Sequence, residues 1–243
     1  MRDGARVAVV GAGNGDDLPL GALARRAARV DLVDLDAAAA RRARRRLVAG
    51  RRRVRVLGED VTLGAADAVV ARALGAAAPP RLPAPVPVGD GPYDVVVADA
   101  VLTQLLYPAL LDTGLPGAAI DDVLLRDGQA LTDAVVARLL ASTAPGGVVV
   151  LVHDALGWWE GHPQPFALGD VLAAAGHGPD AALALVRRGR PPYGCDPHAA
   201  LRRAGAELLA TELWRWPFAA GVDYLVCGLV ARGRRASELD CGA

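Results

Sequence analysis

An apolar segment that breaks into glycines near the start of the chain constrains the fold more than any other feature. The segment RVAVVGAGNGDDLPL spans residues 6–20, and Gly11, Gly13 and Gly15 directly follow its strand-forming residues. Glycine lets the backbone turn sharply and approach a ligand closely, and a following helix offers free N–H groups at its first turn. The segment therefore predicts a strand, a ligand-binding turn and a helix.

The same alternation continues along the chain and indicates the fold class. Apolar runs bounded by glycine, proline or aspartate predict five strands: Arg6–Val10, Val30–Val33, Val54–Leu57, Asp94–Ala98 and Val148–Val152. Alanine- and leucine-rich stretches between them predict helices: Gly21–Arg29, Ala37–Ala49, Asp67–Ala77 and a longer region from about Thr103 to Ser142. Fully apolar strands that alternate with helices are typical of a parallel sheet with helices on both faces.

Two strand-like runs close together near the end of the chain, Glu207–Trp216 and Tyr224–Ala231, predict an antiparallel pair at the sheet edge. We therefore expect an α/β, Rossmann-like, seven-stranded sheet that is mostly parallel and has a C-terminal antiparallel strand pair. We expect a single domain over residues 1–236, with a lid or substrate insertion at about 157–200 and a flexible tail at 237–243.

Charge and cysteine content restrict the class of partner. The 27 basic and 27 acidic residues give a formal net charge of +0, so no global field attracts nucleic acid or an anionic membrane. The arginine runs Arg41–Arg46 and Arg51–Arg53 are interpreted as a solvated helix face. Three cysteines without a CxxC pair argue against a disulfide framework. With no signal peptide and no apolar stretch of membrane length, a cytoplasmic protein is expected.

Acidic residues after the first three strands indicate a ligand with a ribose. They leave two classes of cofactor open, a dinucleotide and a ligand with an amino group and a sulfonium. A dinucleotide site requires a third small residue where this chain has Asp16. Asp16 and Asp17 would repel a pyrophosphate and suit a ligand with an amino group and a sulfonium, or they cap the next helix. Asp34 can accept both ribose hydroxyls of either cofactor, whereas Asp36 suits the cap of the helix that follows. Asp60 is placed to accept from an adenine amino group.

Five segments in order resemble the motifs of class I S-adenosylmethionine-dependent methyltransferases: VVGAGNGDD, VDLVDLD, GEDVT, YDVVVADAVLTQLL and APGGVVVLVHD. The terminal YLVCGLVAR and the run before it are similar to the last two strands of that family, so the resemblance covers nearly the whole chain. The resemblance implies S-adenosyl-L-methionine as cofactor and S-adenosyl-L-homocysteine as product. It implies that Gly11, Gly13 and Gly15 lie against the methionine part, Asp34 holds the ribose and Asp60 faces the adenine. Asp99, or its neighbour Ala98, would lie beside the methionine moiety.

Methyl transfer requires an aligned acceptor and, for a protonated acceptor, a group that accepts the proton. The candidates follow the fourth and fifth strands: Asp99, Thr103, Gln104 and Tyr107 on one side, His153, Asp154, Trp158 and Trp159 on the other. His153 is the first candidate for a general base because its ordinary pKa is near neutral, with Asp154 and Tyr107 as further catalytic candidates. A histidine that simply bonds to nearby backbone is the alternative. Many relatives carry a histidine-rich segment where this chain has Thr103 and Gln104.

Other roles for the same residues stay open. The two tryptophans stack on an acceptor or pack a lid. A divalent ion held by Asp99, His153 and Asp154 is a minor alternative, and no metal is predicted.

The leading interpretation is methyl transfer to a small-molecule acceptor in specialised metabolism. The sequence ADAVL after the fourth strand differs from the Asn/Asp-Pro-Pro-aromatic motif of relatives that modify nucleic acid or glutamine. A catalytically inactive scaffold that binds S-adenosylmethionine and an NAD-linked oxidoreductase are the alternatives. Since no helical cap precedes the first strand, the lid must come from Thr103–Ala141, Gly157–His198 or a second subunit, so a homodimer is expected.

Overall fold

A computed structural model of the chain describes residues 3–162, 164–189 and 195–233. The described residues form one seven-stranded sheet. Its strands are β1 (Arg6–Val10), β2 (Arg29–Asp34), β3 (Val54–Gly58), β4 (Tyr93–Asp99), β5 (Thr143–Trp158), β6 (Glu207–Ala219) and β7 (Val222–Arg232). They lie side by side in the order β3, β2, β1, β4, β5, β7, β6.

The strand directions confirm the predicted sheet. β1 is parallel to β2 and β4, β2 is parallel to β3, and β4 is parallel to β5. β7 runs antiparallel to both β5 and β6. The strand order reverses at β1, so β1 and β4 diverge into separate loops at their carboxyl ends, where ligands of open α/β sheets bind.

The helices of the described residues are α1 (Leu20–Arg26), α2 (Ala37–Arg45), α3 (Ala65–Ala73), α4 (Tyr107–Asp112), α5 (Gly117–Val123), α6 (Gln129–Ala141), α7 (Leu168–Ala175), α8 (Pro179–Val186) and α9 (Pro197–Arg203). Short 3-10 helices cover Arg51–Arg53 and Leu102–Gln104, and a π-helical turn, Leu124–Gly128, joins α5 to α6. The predicted helical region Thr103–Ser142 is therefore broken. Gly114 takes a positive φ of 73° and Pro116 precedes the first turn of α5, so the chain turns between α4 and α5.

The first two helices begin differently. Pro19 precedes α1, and no side chain of the described residues caps its first turn, so the alternative role of Asp16 and Asp17 as caps of this helix is wrong. The predicted cap of α2 is confirmed, because the Asp36 carboxylate accepts from the backbone N–H groups of Ala38 and Ala39 at 3.0 and 2.9 Å.

Helices cover both faces of the sheet, as predicted. The helices on one face cover different strands from the helices on the other face. On one face α1 and α2 pack over β1, β2 and β3, and the contact buries Ala24, Ala40, Val9 and Leu32. On the other face α6 to α9 pack over β4, β5 and β7. α3, α4 and α5 form a smaller apolar cluster of their own with the start of α6.

β5 is much longer than the predicted strand Val148–Val152. β4 ends where Asp99 pairs with Val152, whereas β7 continues to pair with β5 as far as Trp158 opposite Asp223. A register shift between Asp154 and Leu156 marks a bulge in this extension. Because the extension pairs with β7 alone, the ribbon β5–β7–β6 projects beyond β4 by six residues, about 20 Å at 3.3 Å per residue.

The segment predicted as a lid or substrate insertion begins inside this ribbon. Its helices α7, α8 and α9 bury Val171, Leu183 and Leu201 in the same core cluster as β5 and β7, so they form part of the layer that covers the sheet. A lid role for the remaining loop stays a prediction. The predicted tail 237–243 lies outside the described residues.

Other sequence expectations concern single features. Cys195 and Cys227 are buried free thiols, and Cys241 lies outside the described residues. Arg41, Arg42 and Arg45 are exposed on α2, as expected of a solvated helix face. Within the described ranges, no helix has the length and apolar content needed to cross a membrane.

Candidate active site

The three glycines after β1 have positive φ values of 75°, 48° and 66°, and they serve two different purposes. A Cβ at Gly11 would lie 2.6 Å from the Cβ of Val101, and one at Gly15 would lie 3.1 Å from the Cβ of Ala43. At those two positions, neighbouring side chains of the protein fill the space beside the glycine. A Cβ at Gly13 would meet no atom of the described residues within 4 Å, so Gly13 faces open space at the carboxyl end of β1.

Asp34 connects this glycine loop to the end of β2. One of its carboxylate oxygens accepts from the backbone N–H of Gly13 at 2.7 Å, and the other accepts from the N–H of Asp36 at 2.7 Å. A carboxylate has about four acceptor positions, so each oxygen retains one for a ligand hydroxyl. The geometry therefore suits a ligand that lies across the loop and presents hydroxyls to Asp34.

The two aspartates after the loop differ in their surroundings. Asp16 forms an ion pair with Arg46 at 2.7 Å, and Arg46 also donates to the carbonyl of Asn14. This exposed pair ties the loop to the end of α2, and sequence reasoning missed it because Arg46 lies 30 residues away in an arginine run. Asp17 instead lies close enough to Asp99 for its charge to act on that group.

The end of β4 brings a half-buried carboxyl group to the same place. Burial raises the pKa of Asp99, and the negative charge of Asp17 raises it further. Ala100 then takes a φ of 51°, a conformation that costs an L-residue about 1–2 kcal/mol. The Ala100 N–H donates to the Val152 carbonyl at 2.9 Å, which holds this strained residue in place. Strain of this kind at a strand end is common in functional sites.

Asp60 is largely engaged by its own turn. Its carboxylate accepts from the N–H of Thr62 at 2.7 Å, the Thr62 hydroxyl at 2.8 Å and the N–H of Gly64 at 2.6 Å. These bonds fix the loop after β3, which leaves little acceptor capacity for a further donor.

A buried arginine on α6 stabilises the loop after β3, and sequence reasoning missed it. Arg138 of α6 is 1% exposed and donates to the Val61 carbonyl at 2.6 Å, the Val86 carbonyl at 2.9 Å and the Glu59 carboxylate at 2.8 Å. The other oxygen of Glu59 accepts from the N–H of Gly89 at 2.8 Å. The network joins the loop after β3 to the proline-rich segment before β4. The signal in the sequence is a charged residue within the apolar run AVVARLLA.

Of the three predicted catalytic residues, His153 and Asp154 lie on β5 and Tyr107 begins α4. His153 is 6% exposed and pairs in register with Cys227, on the face that α6 to α9 cover. Burial lowers the pKa of His153 to about 4, and its Nδ1 has no hydrogen-bond partner among the residues that the structure describes. Tyr107 lies at the start of α4, packed against the separate cluster formed by α3, α4 and α5.

Asp154 lies above the end of β4. Its carboxylate is buried and accepts from the Thr103 hydroxyl at 3.3 Å. The same hydroxyl lies 3.1 Å from the Ala100 carbonyl. Burial raises the pKa of Asp154, while the bond from Thr103 lowers it. Thr103 and Asp154 thus link the strained end of β4 to the extension of β5.

The predicted aromatic candidates lie on the projecting ribbon and are packed. Trp158 donates through its indole N–H to the Phe166 carbonyl at 3.2 Å. Trp159 stacks on His162 with ring centroids 4.0 Å apart, and it also lies 5.9 Å from the ring of Tyr224. Trp216 and Phe218 complete this aromatic cluster, and Phe218 is 59% exposed.

Among the residues with described positions, no group of three or more His, Cys, Asp or Glu side chains is arranged to hold a metal ion. A cavity of about 630 Å³ is lined by Arg25 and Arg51–Arg53, at the amino ends of β2 and β3. It is therefore far from the glycine loop, which lies at the carboxyl end of β1 and faces an open surface.

Comparison with known proteins supports the fold and nothing finer. No protein-family model matches the chain, and no curated protein matches it by sequence. A solved SAM-dependent methyltransferase from Methanosarcina mazei superposes with a TM-score of 0.51 at 13% identity, covering 96% of this chain and 94% of that one. Another from Geobacter sulfurreducens, solved with S-adenosyl-L-homocysteine, gives 0.48 at 13% identity, with 96% and 86% covered.

The N-methyltransferase NodS from Bradyrhizobium japonicum WM9, also solved with S-adenosyl-L-homocysteine, gives a TM-score of 0.48 at 14% identity, with 95% and 79% covered. The strand order, the antiparallel β7 and the Methanosarcina structure together define the class. The chain has the fold of the class I SAM-dependent methyltransferases.

Proposed function

We propose that this protein is an S-adenosyl-L-methionine-dependent methyltransferase that acts on a small-molecule acceptor. The observation that carries the proposal is the pair formed by Gly13 and Asp34. Gly13 leaves open space above the switch point of the sheet, and Asp34 presents spare acceptor positions beside it. The solved proteins of this fold that contain S-adenosyl-L-homocysteine support the choice of cofactor.

The residues at the switch point suit this cofactor. Bound there, S-adenosyl-L-methionine supplies a methyl group that its sulfonium activates for displacement. Asp34 would accept from the ribose hydroxyls, and the backbone around Gly11, Gly13 and Gly15 would pass close to the methionine part. Asp99 and Asp17 would offset the positive charge of the ammonium group. Asp60 would act mainly by holding its turn, with the adenine beside it.

An NAD-linked oxidoreductase is the weaker candidate. A pyrophosphate at the glycine loop would meet Asp17 and the half-buried Asp99, and like charges repel. Asp16 is also present where a dinucleotide site requires a small residue.

On the acceptor side, Asp154 is favoured over His153 as the group that takes a proton. A raised pKa makes a carboxylate a better base near neutral pH, whereas a histidine with a pKa of about 4 is a weak one. Thr103 orients the Asp154 carboxylate. Tyr107 remains a proposed contact of the acceptor, which it would reach if α4 moved. The projecting ribbon with its aromatic cluster is proposed as one wall of the acceptor site.

Product formation tests the proposal and separates it from an inactive scaffold. The protein is incubated with S-adenosyl-L-methionine and fractionated small-molecule extracts, and S-adenosyl-L-homocysteine is measured by mass spectrometry. We expect turnover with a subset of fractions. For an acceptor that loses a proton, Asp154→Asn should lower the rate about 100-fold or more without changing cofactor affinity. Asp121→Asn on α5 is the matched control. Cofactor binding without turnover in any fraction would support the scaffold instead.

Specialised metabolism as the setting, the homodimer and the cytoplasmic location also belong to this proposal. Sequence features alone support the first and the last. The homodimer also has a structural basis.

A further inference from the structure

Among the described residues, no helix layer covers one face of the sheet over β5, β7 and β6. The face that α1 and α2 cover continues in register from Val97 of β4 to Val150 of β5, Val230 of β7 and Ala210 of β6. Val97 still packs against the α1–α2 core cluster, but Val150 and Val230 belong to no core cluster and are partly exposed. We call the surface formed by Val148, Val150, Val152, Val230 and Trp214 the open face.

The open face is apolar where a sheet of this kind is normally covered. The strands of a parallel sheet carry apolar residues on both faces because helices usually bury both. Trp214 extends the apolar surface across β6, and its ring lies next to Gly228, where a Cβ would approach it to 3.1 Å. Its side chain is 41% exposed. A contiguous apolar patch of this kind is typical of a protein contact.

Two charged residues lie on either side of the row formed by Val97, Val150 and Val230. Their positions indicate what covers the open face. Glu212 is in register with Gly228 and Val152, one row above Val150, whereas Arg232 lies one row below Val230. In the described part of the chain neither side chain forms an ion pair, although Glu207 is the register partner of Arg232. Within the described ranges, the buried Nε of Arg232 has no hydrogen-bond partner.

We propose that the open face is the interface of a homodimer, with a two-fold axis that crosses the strands at the row of Val97, Val150 and Val230. Such an axis exchanges the row above it with the row below it, and each of these rows lies two residues, about 7 Å, from the axis. Glu212 of one subunit then faces Arg232 of the other, twice over. The valines of the two subunits pack against each other as in a β-sandwich, with the sheets about 10 Å apart.

A second copy fits better than an unrelated partner because the patch is self-complementary. An isologous interface must pair each residue with a counterpart on the same surface. The apolar row is symmetric about the axis, and the acid and the base lie at matching distances on opposite sides of it. The inference does not depend on methyl transfer, because mass in solution can be measured without cofactor.

Light scattering and sedimentation of the 243-residue chain at micromolar concentrations test the interface. We expect a dimer for the wild type and a monomer for Val150→Arg, whose charge would lie between the two sheets. Glu212→Arg and Arg232→Glu should each raise the dimer Kd about tenfold or more, and the double variant should restore most of the affinity. Leu125→Arg, at a 76% exposed leucine of the π-helical turn, should have no effect.

Three results would overturn the proposal. The first is a wild type that stays monomeric throughout, and the second is a dimer that persists with folded Val150→Arg. The third is a double swap no better than the two single swaps combined. Circular dichroism shows whether Val150→Arg is folded, and if it is not, the charge swap decides alone.

Discussion

Gly13 and Gly11 lie two residues apart in one loop, yet the structure gives them different roles. Alanine at either position takes a left-handed conformation at a cost of about 1–2 kcal/mol. At Gly11 the new Cβ also overlaps Val101, so Gly11→Ala should lower the melting temperature more than Gly13→Ala. Gly13→Ala should instead weaken S-adenosyl-L-methionine binding about tenfold or more, a cost of about 1.4 kcal/mol. Calorimetric titration and thermal unfolding of both variants measure the two effects. Equal loss of stability with equal affinity would contradict the assignment.

His153 makes stability depend on pH in a defined direction. Its pKa is about 4 in the folded protein and about 6.5 when unfolded, so the unfolded state binds the proton first as pH falls. The stabilisation is complete above pH 6.5 and is lost as pH falls toward 4, up to about 3 kcal/mol. Urea unfolding from pH 7.5 to 4.5 should show the free energy of unfolding of wild type falling relative to that of His153→Gln. Asp99 and Asp154 titrate in both proteins, so their effect cancels. Parallel curves would contradict the buried, neutral imidazole, and His177→Gln at an exposed histidine is the control.

At the scale of elements, Arg138 determines how the loop after β3 is held. Arg138→Met would leave the Glu59 carboxylate and the Val61 and Val86 carbonyls without their donor, so we expect a loss of about 3–5 kcal/mol in the free energy of unfolding. Arg215→Met is the matched control. It breaks an exposed bidentate pair with Asp223, for which about 0–1 kcal/mol is expected. Denaturant unfolding compares the two, and similar losses would show that the buried network adds nothing.

The elements also show how far the sequence predicts this structure. The first four strands were predicted to within one residue at each end, because continuous apolar runs between glycines and aspartates leave few alternatives. The extension of β5 over HDALGW was missed, because it depends on pairing with β7, whose sequence lies about 70 residues later. Gly13 and Asp34 were found because strand ends can be located from local pattern. Arg46 and Arg138 were missed, because they reach the loops after β1 and β3 from helices elsewhere in the chain. That His153 lies on the covered face depends on register, which the sequence alone did not define.

Over the whole molecule, the proposed cofactor site and the proposed dimer interface lie on different parts of the sheet. The carboxyl ends of β1, β2 and β4 carry the proposed cofactor site, and the ribbon β5–β7–β6 rises beside it. The open face lies nearer the amino ends of the parallel strands, on the face of the sheet that α1 and α2 leave uncovered beyond β4. A dimer built on that face would leave the glycine loop accessible, because the proposed axis crosses the strands below Asp99 and Val152. Methyl transfer and dimerisation can therefore be tested separately.

Calorimetric titration with S-adenosyl-L-methionine, S-adenosyl-L-homocysteine and NAD tests the central claim most directly. We predict that the first two bind and NAD does not, and that Asp34→Ala weakens both bound ligands about 10- to 100-fold through the loss of charged hydrogen bonds. Asp34→Asn, which keeps the shape of the side chain, should lie between wild type and Asp34→Ala. Tight NAD binding without S-adenosyl-L-methionine binding, or affinity that does not respond to Asp34, would contradict the account.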